Sequence, residues 1–179
     1  SKNTNRKLKY TLQIIEIGGK RIGVNTHFTN KIVKEALENN IIKNFKKDSI
    51  IEPEKRFGKK TRFDFFINEK NTKSFIEVKN VTLSRTNGIA EFPDAVTERG
   101  LKHLQELILA TKKGYKSYIF YLIQREDCKS FTIARDIDPS YFKLLTNSIK
   151  KNVKVLCYDC KFSSKGIKLN KQINFFLNE

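Results

Sequence analysis

The chain has 179 residues and a formal net charge of +17, with 36 lysines and arginines against 19 aspartates and glutamates. This length suits a single domain that can bury a core without a disulfide or metal staple. The sequence has no run of 18 apolar residues and begins without an apolar segment, so we expect neither a membrane span nor a secretory signal. Three cysteines, an odd number, favour a reducing compartment and a cytoplasmic protein.

The excess of positive charge predicts a polyanionic partner. Nucleic acid is the most frequent partner of this kind, and an acidic membrane surface is a weaker alternative. The basic residues are spread along the whole chain and do not form a tail. We therefore expect them to cover the surface of a folded domain.

The chain begins with a predicted β-hairpin, because residues 10–17 and 20–24 are β-rich and flank Gly18-Gly19. This hairpin looks separate from the elements that follow it. A helix of about ten residues should come next, with Thr29 or Asn30 as its N-cap. Its apolar stripe is formed by Ile32, Val33, Ala36 and Leu37.

Three consecutive strands are expected after this helix. They cover residues 50–57, 62–67 and 74–83, with Gly58 and Asn71 at the turns.

Helices and strands alternate in the second half of the chain. Phe92-Pro93-Asp94 should begin a long helix that ends near Lys113, just before Gly114. A buried strand over 115–124, a helix from Asp138-Pro139 and a strand over 153–157 follow. This order predicts an α/β fold in which a mixed sheet has helices on both faces.

The strongest chemical signal is Asp64 together with Glu77-Val78-Lys79. If the hairpin turns between Lys70 and Asn71, Asp64 and Glu77 face each other with Cβ atoms roughly 5 Å apart. Lys79 lies two residues further along and therefore on the same side of the sheet. Two carboxylates and an ammonium group should thus converge at one place.

This combination of groups suits metal-assisted phosphodiester hydrolysis. Two close carboxylates attract a hard cation such as Mg²⁺ or Mn²⁺, with the Val78 carbonyl as a further oxygen ligand and Glu35 available from the helix. The cation polarises a phosphodiester and lowers the pKa of a water molecule, while Lys79 stabilises developing negative charge. The alternative is a solvent-exposed ladder of salt bridges, which the spacing alone also allows.

Two long segments resemble a known family, the sugar fermentation stimulation protein A (SfsA) family. They are Phe75-Ile-Glu-Val-Lys-Asn-Val-Thr-Leu83 and Phe92-Pro-Asp-Ala-Val-Thr-Glu-Arg-Gly-Leu-Lys-His-Leu-Gln-Glu-Leu107. Shorter pieces also fit, and they are Arg6-Lys7-Leu8, Gly23–His27, Arg62–Asp64, Gln124-Arg125 and Asp136–Pro139. The resemblance covers essentially the whole chain.

The resemblance implies a small OB-like barrel followed by a PD-(D/E)xK nuclease-like core. Residues 1–25 would then be the C-terminal remnant of the barrel, and residues 26–179 the nuclease-like domain. Asp64 and Glu77-Val78-Lys79 match the active-site motif of that superfamily, and Glu35 matches the glutamate that its first core helix often adds. The family is also described as DNA-binding and linked to sugar utilisation.

Several further residues are candidates for contact with nucleic acid. Lys60, Arg62, Arg99, Lys102 and His103 could hold backbone phosphates, although a solvated helix face would carry similar residues. Gln124 could order a water or substrate near the metal. Cys157 and Cys160 are expected to be ordinary thiols on a strand, and His27 a packing or helix-entry residue.

These observations favour a nucleic-acid-binding, Mg²⁺- or Mn²⁺-dependent nuclease, with DNA the favoured substrate over RNA. The alternative is a DNA-binding regulator of sugar-utilisation genes that has the same fold and no catalytic activity. A metabolic enzyme acting on a small anionic substrate is a third possibility, but no motif supports it.

Overall fold

The computed structural model describes residues 10–58 and 61–177. It contains three α-helices: α1 (Thr29–Glu38), α2 (Glu98–Lys112) and α3 (Pro139–Lys150). The strands are β1 (Ile14–Ile17), β2 (Lys20–Gly23), β3 (Ile50–Phe57), β4 (Thr61–Glu69), β5 (Thr72–Val81), β6 (Leu83–Thr86), β7 (Ile89–Phe92), β8 (Lys116–Ile123), β9 (Ser130–Ile133), β10 (Val153–Ser163), β11 (Gly166–Gln172) and β12 (Asn174–Phe175). Within the described residues, no helix is both long and apolar enough to span a bilayer.

A six-stranded mixed sheet forms the centre of the molecule, in the order β11-β10-β8-β5-β4-β3. Strand β8 pairs in parallel with both β5 and β10, whereas β3, β4 and β5 form an antiparallel meander. Seven of the eight residues of β8 are buried, as expected for a strand that is covered on both faces. The predicted mixed sheet is therefore confirmed.

Helices cover both faces of this sheet, as the sequence predicts. The apolar stripe of α1 packs on one face, in a core with residues such as Ile76 and Phe120. Helices α2 and α3 pack on the other face through residues such as Leu104 and Leu145. The cluster of charged residues described below lies at the end of the sheet where β4 separates from β5.

The predicted start of the long helix is wrong. Helix α2 begins at Glu98, not near Phe92, because the Thr97 side chain caps it by accepting a hydrogen bond from the Gly100 N–H. Phe92 instead ends strand β7, which pairs with β6 across a turn at Asn87-Gly88. Asn-Gly between two β-rich runs is a strong hairpin signal, so this hairpin could have been found from the sequence.

The other boundaries differ in smaller ways. Helix α1 has the predicted length and buried stripe, but Phe28 precedes it without a side-chain cap, after a 3-10 turn over Thr26–Phe28. Strand β9 was not anticipated, and it joins β6, β7 and β12 in a second, four-stranded sheet. Strand β10 extends well beyond the predicted Cys157.

The N-terminal hairpin β1–β2 forms its own two-stranded sheet, in agreement with its separate appearance in the sequence. Hydrogen bonds and an ion pair to residues 124–126 attach it to the central domain. The Gly23 N–H donates to the Gln124 carbonyl at 2.9 Å, and the Arg21 guanidinium pairs with the Glu126 carboxylate at 2.8 Å. The assignment of residues 1–25 to a barrel remnant stays a prediction, and residues 1–9 lie outside the described part of the chain.

Candidate metal centre and nucleic-acid interface

The register between β4 and β5 is the one that the sequence predicts. Their ladder runs from Glu69↔Thr72 to Phe65↔Ile76, so the next pair in the same register would join Asp64 and Glu77. At this point the neighbouring strand β3 is irregular too, because Glu54, which lies opposite Asp64, has a φ of 55°. The strands separate here, and the two carboxylates lie at the opening.

At the opening, the Asp64 side chain accepts a hydrogen bond from the backbone of β5. Its Oδ2 accepts a hydrogen bond from the Val78 N–H at 2.7 Å, and its Oδ1 accepts one from the Asn30 side chain of α1, also at 2.7 Å. Burial, followed by repulsion from Glu77, raises the pKa of Asp64 to about 6, although these two bonds and Lys79 oppose the change. The ionised form of Asp64 therefore destabilises the folded protein, and a bound cation would offset this free-energy cost.

The Glu77 carboxylate is buried, with 3% of its surface exposed, but it is surrounded by donors. Its Oε1 accepts from Lys79 Nζ at 2.9 Å and contacts His103 Nδ1. Burial raises the pKa of Glu77, but the bond from His103 and the charge of Lys79 outweigh it, so the pKa is lowered overall. The Oε2 atom is buried and has no hydrogen-bond partner within residues 10–58 and 61–177.

Asp64, Glu77 and Lys79 line one open cleft of about 510 Å³, which we call the acidic cleft. Its lining residues are Thr26, His27, Thr29, Asn30, Asp64, Glu77, Val78, Lys79, Asn80 and Arg99. The structure thus brings the three predicted catalytic residues together. Lys79 is largely buried against Glu77, so this arrangement differs from the solvent-exposed salt-bridge ladder that was the alternative.

The acidic cleft has the features of a site for a hard divalent cation. The Asp64 and Glu77 carboxylates both line the cleft and supply oxygen atoms, and Glu77 Oε2 has no hydrogen-bond partner among the described residues. The N–H and C=O of a strand residue point to the same side, so the Val78 carbonyl also faces the gap beside Asp64. Within residues 10–58 and 61–177, no three His, Cys, Asp or Glu side chains form a metal-binding group. Two carboxylates suit Mg²⁺, which usually keeps several waters.

Glu35 does not lie with these residues, contrary to the prediction that it completes the metal site. Its side chain is about half exposed and pairs with Lys168 at 3.2 Å, in a separate groove beside β11. The reason is helical geometry. Asn30, which reaches Asp64, and Glu35 are five residues apart, so they point about 140° away from each other around the helix axis.

A second cleft, lined by basic side chains, adjoins the acidic cleft. It has a volume of about 490 Å³ and is lined by Thr61, Arg62, Glu98, Arg99, Lys102 and His103. Arg99 lines both clefts. We call this second one the basic cleft. It brings together four of the five residues predicted to contact nucleic acid, whereas Lys60 lies outside the described residues.

Two of these four residues differ from the expectation in their surroundings. His103 is buried, with 7% exposed, on the same face of α2 as Leu104 and Leu107. Its Nδ1 is directed to Glu77, so this nitrogen is not available to a phosphate. Arg62 is half exposed and lies 3.7 Å from Glu54.

Gln124 was predicted to order a water or substrate near the metal, but it is completely buried. Its Nε2 donates to Asn80 Oδ1 at 2.5 Å and to Thr29 Oγ1 at 3.2 Å. Both partners line the acidic cleft. Gln124 therefore contacts the wall of the cleft from behind.

Sequence reasoning missed several residues of the acidic cleft. Asn30 was considered only as a helix cap, and Asn80 was not considered at all. His27 was interpreted as a packing or helix-entry residue; its N–H does donate to Asn25 at 3.1 Å, but its side chain is exposed in the cleft. Asn80 directly follows Lys79 on β5, and successive strand residues point to opposite faces of the sheet, so periodicity alone does not place Asn80 in the cleft.

The comparisons with known proteins agree with this architecture. The model of the "sugar fermentation stimulation protein RE domain" matches residues 27–166. This chain belongs to the sugar fermentation stimulation protein (SfsA) family. The SfsA homologue of Pelagibacter ubique (strain HTCC1062) is 51% identical over 168 residues, which cover 94% of this chain and 72% of that protein. The homologue of Bartonella tribocorum is 39% identical over 166 residues, covering 92% and 70%.

A solved structure of the SfsA family confirms the fold. It is Pyrococcus furiosus SfsA in complex with Ca²⁺, which superposes with a TM-score of 0.87 over 97% of this chain and 75% of that one. The two sequences are 23% identical. The predicted membership of the SfsA family and the predicted α/β architecture are therefore both confirmed.

Cys157 and Cys160 lie in the core of the central sheet. Both side chains are buried on β10, and both thiols are free. Burial raises the pKa of each thiol well above its usual value. Their position on a strand agrees with the sequence, and the interpretation as ordinary thiols stays a prediction.

Proposed function

We propose that this SfsA-family protein binds nucleic acid and hydrolyses its phosphodiester bonds with Mg²⁺ or Mn²⁺ in the acidic cleft. The observation that carries the proposal is the pairing of Asp64 with Glu77 beside Lys79. Two partly or fully buried carboxylates raise each other's energy unless a cation is present. A protein that only binds phosphates gains nothing from negative charge at this position.

Asp64, Glu77 Oε2 and the Val78 carbonyl are the groups that would hold the cation. When bound, a divalent cation would polarise the phosphodiester and lower the pKa of the attacking water. The P. furiosus relative is described in complex with Ca²⁺, which supports a divalent ion in this family. Because Ca²⁺ and Mg²⁺ share a preference for oxygen ligands, we propose Mg²⁺ or Mn²⁺ as the working ion here.

Lys79 is the proposed electrostatic catalyst. Its ammonium group donates to Glu77 at 2.9 Å and lines the acidic cleft. An ammonium has three N–H groups, so it can bond Glu77 and also donate to a phosphate oxygen or orient a water. Charge that is fixed in place before the reaction stabilises the extra negative charge of the transition state.

The basic cleft is the proposed path of the nucleic-acid backbone. Arg62, Arg99 and Lys102 line it, and Arg99 joins it to the acidic cleft. Phosphate contacts of this kind position a strand without reading its sequence. The net charge of +17 adds long-range attraction for a polyanion. We propose DNA as the substrate and residues 26–179 as a PD-(D/E)xK-type nuclease domain.

A DNA-binding regulator without catalytic activity is the second candidate. One observation favours it: among the described residues two acidic side chains line the cleft, and Glu35, the expected third, lies elsewhere. In that case the basic cleft would bind DNA, and the acidic cleft would have only a structural role.

Metal-dependent cleavage of single- and double-stranded DNA and RNA tests the proposal. We expect wild type to cleave at least one of these with Mg²⁺ or Mn²⁺ and to be inactive with EDTA. Asp64→Asn should abolish cleavage, whereas Asp48→Asn, a change of the same type at an exposed position, should not. A wild type that binds DNA and cleaves none of the substrates would favour the regulator.

A further inference from the structure

His103 of α2 makes a contact that the proposed reaction does not by itself require. The residue follows Gly100 and precedes Leu104 and Leu107 on the buried face of the helix. Positions three, four and seven residues apart share one face of a helix, which directs the imidazole toward β5. There its Nδ1 contacts the same Glu77 oxygen, Oε1, that accepts from Lys79.

The types of hydrogen-bonding group decide where the imidazole proton lies. Glu77 is ionised and can only accept, and the Lys79 ammonium can only donate. A close contact between Nδ1 and a carboxylate oxygen requires an N–H between them, so Nδ1 is the protonated nitrogen. The 3.2 Å approach of Lys79 Nζ to Nδ1 then joins two donors and is not a hydrogen bond. The Lys79 ammonium therefore retains N–H groups that can donate to a ligand in the acidic cleft.

The two donors leave the two oxygens of the Glu77 carboxylate in different surroundings. Both contact Oε1, while Oε2 is buried and has no hydrogen-bond partner in the part of the chain that the structure describes. Without His103, the carboxylate could turn and share both oxygens with Lys79, and neither would be reserved for a cation. With His103 in place, one oxygen is occupied and the other is left open.

From this geometry we propose that His103 is a positioning residue for Glu77: it holds Oε1 so that Oε2 is presented to the divalent cation. This inference rests on the metal centre of the proposed function. It gives His103 a role that differs from the predicted contact with phosphate. Groups that orient metal ligands in this way typically change metal affinity by about 10- to 100-fold when they are removed.

Two variants of similar shape separate positioning from packing. In asparagine, Nδ2 is as many bonds from Cα as Nδ1 is in histidine, so His103→Asn keeps a donor near Oε1. His103→Leu has the same branching and no donor. In Mn²⁺ titration calorimetry we expect His103→Leu to bind about 10-fold or more weakly than wild type, and His103→Asn to bind within about threefold of it.

A third variant covers the case in which His103→Leu does not fold. His103→Gln keeps the polarity but moves the donor one bond further out, and we expect it to bind Mn²⁺ clearly more weakly than His103→Asn. Equal Mn²⁺ affinity of wild type and the Leu or Gln variant would overturn the positioning role, as would failure of a folded Asn variant to retain affinity. A wild type that binds no Mn²⁺ would overturn the metal centre itself, and the role of His103 with it.

Discussion

Asp64 is the residue at which the stability and the proposed function of this protein conflict. Its pKa of about 6, against 3.8 for an ordinary aspartate, means that ionisation destabilises the folded state. The penalty is absent below about pH 4, grows as the pH rises through 6 and is complete above it. At neutral pH it amounts to about 3 kcal/mol in the metal-free protein.

Replacement of Asp64 by asparagine should therefore have an effect that depends on pH. Loss of the hydrogen-bond acceptor lowers the free energy of unfolding by the same amount at every pH. Removal of the ionisation penalty raises it only at the higher pH, where wild-type Asp64 is ionised. We expect the melting temperature of Asp64→Asn, relative to wild type, to be higher at pH 7.5 than at pH 4.5 when both are measured without metal. Mn²⁺ at pH 7.5 should then stabilise wild type and leave the variant unchanged. A difference that is independent of pH would contradict the raised pKa.

At the scale of single residues, the sequence predicts the centre of the site better than its surroundings. Strand periodicity and one turn place Asp64, Glu77 and Lys79 correctly, because these depend only on local register. The prediction for Glu35 is wrong because the direction of its side chain depends on how α1 is rotated against the sheet. His103 was assigned to the surface, since a polar residue on the buried face of a helix cannot be recognised without knowing its partner.

Among the elements, α2 and α3 depend on one buried carboxylate. Asp138 is 1% exposed; its Oδ1 accepts from the Tyr141 N–H at 2.9 Å, and its Oδ2 accepts from the Thr97 N–H at 3.0 Å. It caps α3 and at the same time holds Thr97, the N-cap of α2. The Asp138-Pro139 signal could be found in the sequence, but its link to α2 could not, because it joins residues that are distant in the chain.

Asp138→Ala should destabilise the protein more than the loss of an ordinary helix cap. One buried and one partly buried N–H group would lose their acceptor, which costs roughly 2–4 kcal/mol. Thr97→Ala, which removes the single side-chain cap of α2, should cost about 1 kcal/mol. Urea unfolding of both variants measures the difference. Equal losses would mean that Asp138 does not link the two helices.

The attachment of the N-terminal hairpin depends on Gly23. A Cβ at this position would lie 2.4 Å from the Gln124 Oε1 and 3.0 Å from Ile167 Cδ1. Gln124 cannot easily move away, because it is buried and holds Asn80 and Thr29.

Gly23→Ala should therefore lower the melting temperature and disturb the wall of the acidic cleft. In a Gln124→Ala background the same change should cost less, because the clashing oxygen is gone. Thermal unfolding of the two single variants and the double variant measures this coupling. Additive losses would show that the close approach of Gln124 is unimportant.

For the whole molecule, the charge distribution predicts how binding responds to salt. Each lost phosphate contact should reduce the slope of log affinity against log salt by about 1. Charge reversal of Arg99 and Lys102 should weaken DNA binding and lower this slope more than reversal of Lys150 and Lys151, which lie at the end of α3. Fluorescence anisotropy over a salt series is the measurement. Equal effects would indicate diffuse binding that does not involve the basic cleft.

The architecture as a whole was largely predictable, because periodicity indicates helices and strands and their alternation indicates a mixed sheet with two covered faces. The second sheet was not predictable to the same degree. Its strands β9 and β12 are short, and they pair with partners that lie far away in the sequence. Short strands of this kind gain their stability from the core they cover, which a local pattern does not reveal.

Lys79→Ala tests metal-dependent hydrolysis in the acidic cleft most directly. An ammonium group is not a ligand for a cation, so the variant should bind Mn²⁺ as tightly as wild type or slightly more tightly. Its DNA affinity should fall only a little, since Lys79 is one contact among many.

The rate of DNA cleavage, measured for wild type and Lys79→Ala at equal Mn²⁺ occupancy, should differ by about 100-fold or more, because preorganised charge at a developing oxyanion contributes about that much. Cleavage that remains intact in Lys79→Ala would contradict the account and place the active site elsewhere.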